Sequence, residues 1–292
     1  MSVVSNLRTT LEMIKFEHTV FALPFTLLSA FMASGGWPAV PKLLWILSAM
    51  VGARSAAMAF NRIADRRLDA ENPRTHMRAL PVGQVSLEFA SGFTLVSSLI
   101  FILSAYQLNP LCFRLSVPAL VILFAYSYTK RFTHFSHLVL GLCLGLAPLG
   151  AWIAIRGDIQ RTPLLLGLIV LLWTAGFDII YACQDVDFDR HWNLFSIPNR
   201  FGIRRALRIS SSLHAAMLLA LVLLILLENL SWISLAGVGV VAFLIWYEHH
   251  LVSPDDLSKV NQAFFTVNGY ISILLFLVVG LDKILHQVVH RG

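Results

Sequence analysis

Nine long apolar runs separated by short polar segments leave this chain few folds to choose from. They begin near Phe16, Leu43, Glu88, Pro110, His137, Pro163, Leu207, Leu230 and Phe264. The first, Phe16 to Ser34, is long enough to cross a hydrocarbon core of about 30 Å as a helix. Nine spans of ~20 residues use roughly 180 of the 292 residues, which leaves short loops and no room for a soluble domain. The runs are continuously apolar rather than alternating, which argues against a closed β-barrel. An all-α polytopic membrane protein with about nine transmembrane helices is expected, as one membrane-embedded domain over 10–290.

Composition agrees. Hydrophobic residues make up 57% of the chain and charged ones 13%, against about 45–50% and about 25% in soluble domains. Disorder, collagen and a small disulfide scaffold are excluded on the same ground. Cys112, Cys143 and Cys183 lie in or beside apolar runs without CxxC spacing and read as buried thiols. The first fifteen residues, with Arg8, Glu12 and Lys15, lack the short apolar core and small-residue cleavage site of a signal peptide.

A net charge of +6 would point to nucleic acid in a soluble chain, but in a membrane chain it reflects Lys and Arg retained on the cytoplasmic side. With the N-terminus placed inside, fifteen basic residues fall on cytoplasmic segments and six on the opposite side, with Arg54 inside the second span. A multi-pass protein of the cell membrane follows, N-inside, with membrane lipid and not nucleic acid as its surroundings.

The cytoplasmic segments carry the specific signals. At the end of the second span, Asn61, Asp65 and Asp69 recur every four residues, which places them along one helical face. At the end of the sixth span, Asp185 and Asp189 repeat that spacing, each 120 residues after its counterpart. The offset suggests two pseudo-repeat halves, and paired acids at membrane helix ends usually mark function. Two ordinary solvated turns are the bland alternative; repetition, side and depth argue against it.

Four carboxylates facing one cavity repel each other unless cations lie between them. Mg²⁺ is the natural ion, since it takes one or two carboxylates and completes its shell with water and phosphate oxygens. Basic residues flank both ends of this arrangement: Arg66, Arg67, Arg74 and Arg78 around the first motif, and Lys130 and Arg131 after Tyr126 and Tyr128. Acids that collect Mg²⁺ beside Arg and Lys suit a polyphosphate. Topology alone would also explain any single Arg; Lys130, at a helix end beside two Tyr donors, is the best individual candidate.

Asn61-xxx-Asp65-xxx-Asp69 with Arg78-Ala-Leu-Pro-Val-Gly83, Tyr126-Ser-Tyr128-Thr-Lys130-Arg131 and Tyr181-Ala-Cys-Gln-Asp185-xxx-Asp189 resembles the UbiA superfamily of intramembrane prenyltransferases. The likeness continues through Gly141-Leu-Cys-Leu-Gly145-Leu-Ala-Pro148 and Ser196-Ile-Pro-Asn-Arg-Phe-Gly202, and is strongest to the 4-hydroxybenzoate polyprenyltransferase branch, including members implicated in menaquinone synthesis. Thr75-His-Met precedes Arg78, where many relatives carry a more polar stretch. The resemblance implies a nine-helix bundle around a central cavity and a Mg²⁺-dependent transfer from polyprenyl diphosphate to an aromatic acid. It assigns Asn61, Asp65, Asp69, Asp185 and Asp189 to metal and diphosphate, with Lys130 on the phosphates; Arg66, Arg131, Tyr128 and Arg78, read from the flanking residues, are further diphosphate-binding candidates.

The chemistry suits these residue types. An allylic diphosphate ionises when its leaving group is neutralised, and the allylic cation must be shielded from water, as a cavity in the bilayer provides. An electron-rich phenol then attacks and a carboxylate takes the proton, for which Asp65 or Asp185, the inner member of each pair, is the candidate. Arg54 and Asp178 each precede a motif by seven residues, about two turns deeper. They are candidates to bind the acceptor, Arg54 through a carboxylate, or else to pair with each other. Lys15, Glu17 and His18 are weaker candidates that interfacial anchoring explains equally well. Ser253-Pro-Asp255-Asp256 reads as a capped helix start.

Other readings are a secondary transporter, a CDP-linked phosphatidyltransferase, and prenyl transfer to haem or a chlorophyllide. A transporter more typically breaks its helices at the repeat centres, whereas these acids lie at one membrane side. The DGxxAR…GxxxDxxxD pattern of the phosphatidyltransferases is absent.

Overall fold

The computed structural model describes residues 9, 10, 12, 13 and 22–291. Arg8, Lys15, Glu17 and His18 lie outside the described residues, as does the start of the first apolar run. The helices are α1 (Leu23–Ser34), α2 (Val40–Glu71), α3 (Leu87–Leu108), α4 (Pro110–Thr129), α5 (Ser136–Arg156), α6 (Arg161–Ala182), α7 (Val186–His191), α8 (Ile197–Phe201), α9 (Ile203–Leu227), α10 (Trp232–His250) and α11 (Asn268–Arg291). A 3₁₀ turn at Cys183–Asp185 links α6 to α7, and a π-helical turn at Gln262–Val267 leads into α11.

The protein is all-α and polytopic. Among the described residues, eight helical segments are long and apolar enough to cross a membrane, and α1 adds a shorter apolar helix. Every long helix begins within a few residues of its apolar run, because a chain in lipid must close its backbone hydrogen bonds locally. All three cysteines are free thiols, Cys143 and Cys183 buried and Cys112 half-buried.

Among the described residues two compact units are present, one holding residues 40–128 and the other 22–39 with 129–291. In the first, α2 and α3 approach closely at Gly52, where an added Cβ would stand 2.9 Å from the Ser97 carbonyl oxygen. Ser104 Oγ donates to Ser48 Oγ across the same pair at 2.8 Å. Phe60 of α2 stacks on Phe124 of α4 with centroids 4.4 Å apart. The loop after α2 folds back so that Ala79 and Val85 are buried with Ala59 and Ala90. That fold-back brings Arg78 to the end of α2.

In the second unit, Trp173 and Phe177 of α6 pack with Phe25, Met217 and Ile271 from α1, α9 and α11 in one apolar core. Two polar side chains beside it pair in a chain: Trp173 Nε1 donates to Asn268 Oδ1 at 2.6 Å, and Asn268 Nδ2 donates to Glu248 Oε1 at 2.9 Å. Asn268 Nδ2 also donates to the carbonyls of Ala263 and Phe264 in the π-helical turn, absorbing the backbone groups it displaces.

The Ser253–Asp256 segment departs from expectation. It closes as a tight turn, with Ser253 N donating to the Asp256 carbonyl at 3.0 Å and Asp256 N to Ser253 Oγ at 3.0 Å, rather than starting a helix. The Ser258 amide donates to Asp256 Oδ1 and holds that exposed carboxyl below the usual carboxylate range. Once both ends of the turn are closed on themselves, helix begins only near Val260.

Small residues set the α5–α6 contact. A Cβ at Gly141 would collide with the Leu171 carbonyl oxygen, and one at Gly145 would stand 2.6 Å from that of Gly167. In lipid such close backbone approach supplies the helix-pairing energy that water exclusion cannot. Gly141→Ala should therefore destabilise the detergent-solubilised protein by about 1–3 kcal/mol. Gly150→Ala, on the same helix with nothing within 4 Å of the added atom, should be neutral or slightly stabilising. Equal melting temperatures for the two variants would refute the close-packed α5–α6 contact.

Candidate functional site

The first motif lies on one uninterrupted helix, since α2 runs for 32 residues. Asn61, Asp65 and Asp69 therefore occupy successive turns. Asn61 Nδ2 donates to Asp65 Oδ2 at 3.1 Å and to Ser127 Oγ of α4 at 3.4 Å. Arg62 Nη1 donates to Asn61 Oδ1 at 3.1 Å, which fixes the amide with its NH₂ toward the acid. Asp65 and Asp69 are buried. Asp69 is clasped by Arg78, whose Nη1 donates to both carboxylate oxygens at 2.7 and 2.8 Å. Thr75 Oγ1 donates to the Asp69 carbonyl at 3.1 Å, so the Thr75-His-Met segment supports the same turn.

Arg62 lies among the first-motif residues, although charge topology alone explained it in the sequence. It is buried, its Nε has no hydrogen-bond partner among the described residues, and its charge acts on Asp65, Asp69, Arg78 and Tyr126. Burying two carboxylates costs several kcal/mol each unless cations sit beside them, and Arg62 and Arg78 meet that need. Arg66 is half-buried, Arg54 is half-buried two turns before Asn61, and Tyr128 is exposed, edge-on to Phe60 at 6.0 Å.

The second motif keeps the spacing of the first but not its geometry. Helix α6 tightens into the 3₁₀ turn at Asp185, and Asp189 sits on the six-residue α7. Ser196 Oγ donates to Asp189 Oδ2 at 2.7 Å. Ser196 also caps α8, accepting from Asn199 N at 3.2 Å. Asp185 and Lys130 both act electrostatically on Asp189, the first by repulsion and the second by attraction. The following loop is tied to the Lys130 backbone, because Phe195 N donates to the Lys130 carbonyl at 2.7 Å. Lys130 is half-buried and Arg131 exposed. Deeper on α6, Asp178 Oδ2 is taken up by His137 Nδ1 of α5 at 2.7 Å.

The outer acid of each motif is thus held by the loop that follows its helix: Asp69 by Arg78 and Asp189 by Ser196. In the sequence Ser196 stands out only within the Ser196–Gly202 stretch of the family likeness, and nothing in the spacing announces His137. Among the described residues no three His, Cys, Asp or Glu side chains converge on one point as a metal cage. The donors present are hard oxygens, arranged in pairs.

The sequence signature of the UbiA prenyltransferase family matches residues 22–272. The 4-hydroxybenzoate octaprenyltransferase of Methylobacillus flagellatus is 31% identical over 251 residues, 86% of this chain and 84% of that one. A UbiA homolog from Aeropyrum pernix K1, solved in its apo form, superposes with a TM-score of 0.82 at 33% identity, over 93% of this chain and 98% of that one. A UbiA homolog from Archaeoglobus fulgidus, solved with DMAPP and Mg²⁺ bound, shares the fold with a TM-score of 0.75 at 20% identity, over 94% and 99% of the two chains. With its acid pairs, its helices and a family match over most of its length, this polytopic membrane protein belongs to the UbiA prenyltransferase family, as a prenyltransferase.

Proposed function

We propose that the chain transfers a polyprenyl group from polyprenyl diphosphate to an aromatic acid resembling 4-hydroxybenzoate or dihydroxynaphthoate, in quinone biosynthesis. The observation that carries this reading is the pair of DxxxD motifs, each with its outer acid anchored, in a chain 31% identical to a 4-hydroxybenzoate octaprenyltransferase. Asn61, Asp65, Asp69, Asp185 and Asp189 are the oxygen donors for Mg²⁺. Hard oxygen ligands in pairs suit that ion, which leaves coordination positions for water and phosphate. Bound Mg²⁺ neutralises the diphosphate and makes it a better leaving group.

The remaining work falls to the chain's own side chains. Lys130, Arg131, Arg66 and Tyr128 meet the phosphate oxygens, Lys130 as a point charge and the arginines as forks. Arg78 acts through Asp69, whose carboxylate it orients. Arg54 offers its guanidinium to the acceptor's carboxylate. An inner acid, Asp65 or Asp185, takes the proton released when the new C–C bond forms. The reaction opens on the cytoplasmic side, where the basic residues cluster.

Membranes containing the protein, given Mg²⁺, a polyprenyl diphosphate and a panel of aromatic acids, should release pyrophosphate and form one prenylated acid. Asp65→Asn, Asp69→Asn, Asp185→Asn or Asp189→Asn should each reduce turnover by at least about a hundredfold, the scale of losing a charged ligand of about 3 kcal/mol. EDTA should do the same. Arg54→Gln should raise the acceptor KM with little change in that of the diphosphate. Full activity in three of the four carboxamide variants, or in EDTA, would defeat the metal assignment. For sidedness, cysteines placed at the exposed Arg74 and Arg200 should both react with impermeant thiol reagents from the cytoplasmic face. Reaction from opposite faces would overturn the orientation.

A further inference from the structure

His137 is 3% exposed and has two neighbours of opposite demand. On one side its Nε2 lies 3.4 Å from the Ile197 backbone nitrogen. A backbone N–H can only donate, so Nε2 must be the bare, accepting nitrogen. The ring proton is then on Nδ1, where it donates to Asp178 Oδ2 at 2.7 Å. The carboxylate selects the tautomer and the tautomer accepts the amide, the same logic by which a carboxylate behind a metal-binding histidine fixes its ring.

Ile197 is the residue next to Ser196. Two further contacts hold that short stretch: His134 Nδ1 lies 3.3 Å from the Ser196 carbonyl oxygen, and Asn199 Nδ2 donates to the Leu194 carbonyl at 2.7 Å. The outcome is a Ser196 hydroxyl that donates to Asp189 Oδ2 at 2.7 Å while accepting from Asn199 N. Ser196 itself is 4% exposed, so no bulk water can replace it. We propose that His137, oriented by Asp178, is a positioning residue that holds Ile197 and Ser196 in place so that the Ser196 hydroxyl aims Asp189 at the metal–diphosphate group. The proposal rests on the metal–diphosphate reading of Asp189 given above. It assigns a use to Asp178 two turns below the motif.

The ring has two functional ends, and two amide side chains can each imitate one. The His137→Gln change places an acceptor near the Nε2 position, whereas His137→Asn places a donor near Nδ1 only. The test measures binding of inorganic pyrophosphate with Mg²⁺ to the purified full-length protein by calorimetry, with prenyl transfer and detergent melting temperature alongside. His137→Asn and Ser196→Ala should each weaken Mg–pyrophosphate binding by roughly tenfold, the scale of one hydrogen bond to a charged group. His137→Gln should stay within about threefold of the parent protein. The double variant His137→Asn with Ser196→Ala should be no worse than Ser196→Ala alone, since both act on one contact.

If His137 serves only to pair with Asp178, the order reverses: His137→Asn retains binding and His137→Gln loses it, and that result overturns the proposal. Unchanged binding in Ser196→Ala overturns it as well, and this variant carries the test should His137→Asn fail to fold. Asp189→Asn separates the two readings. If it binds Mg–pyrophosphate like the parent, the metal–diphosphate assignment is what has failed. If it loses binding while His137→Asn and Ser196→Ala do not, the positioning role alone is refuted.

Discussion

An ionised carboxylate placed at the end of a membrane helix costs several kcal/mol unless a partner meets it there, and this cost shapes the chain around its acids. Asp69 is met by a guanidinium on both oxygens and Asp189 by a hydroxyl on one. In both places the partner comes from the loop that follows, so those loops cannot be plain connectors. The first folds back over Ala59 and Ala90 to deliver Arg78. The second is capped, tied to the Lys130 carbonyl and braced by two histidines to deliver Ser196. The helices supply spacing and the loops supply aim.

The two motifs differ in a way that follows from these partners. Arg78 brings a full positive charge to Asp69, and Arg62 adds a second within reach of both acids of that motif. Asp189 receives a neutral hydroxyl, with Lys130 acting at longer range against the repulsion of Asp185. The outer acids thus differ in partner, a charged guanidinium at Asp69 and a neutral hydroxyl at Asp189. The unbroken α2 and the 3₁₀ break before α7 add a geometric difference to the electrostatic one.

Much of this was legible in the residues. The apolar runs near Leu43, Glu88, Pro110 and His137 predict helices that begin at Val40, Leu87, Pro110 and Ser136, because spanning a bilayer demands length and continuity and little else. The four-residue spacing located the acids for the same reason. Arg62, His137 and Ser196 were not legible as site residues, since their roles depend on which loop returns to which helix, and no local pattern records that. The π-helical turn before α11 depends on Asn268 reaching its carbonyls, and the Ser253–Asp256 turn on two short-range bonds that outcompete a helix start. Tertiary partners decide such details, while periodicity is blind to them.

The central claim is that the two acid pairs hold a divalent metal together with the diphosphate. Electron paramagnetic resonance of the purified protein with Mn²⁺ in place of Mg²⁺, recorded during titration with pyrophosphate, tests it without relying on turnover. A protein-bound Mn²⁺ signal carrying phosphorus couplings should appear with pyrophosphate and be lost in both Asp65→Asn and Asp185→Asn. The same signal, with the same couplings, in either carboxamide variant would contradict the assignment of that motif to the metal.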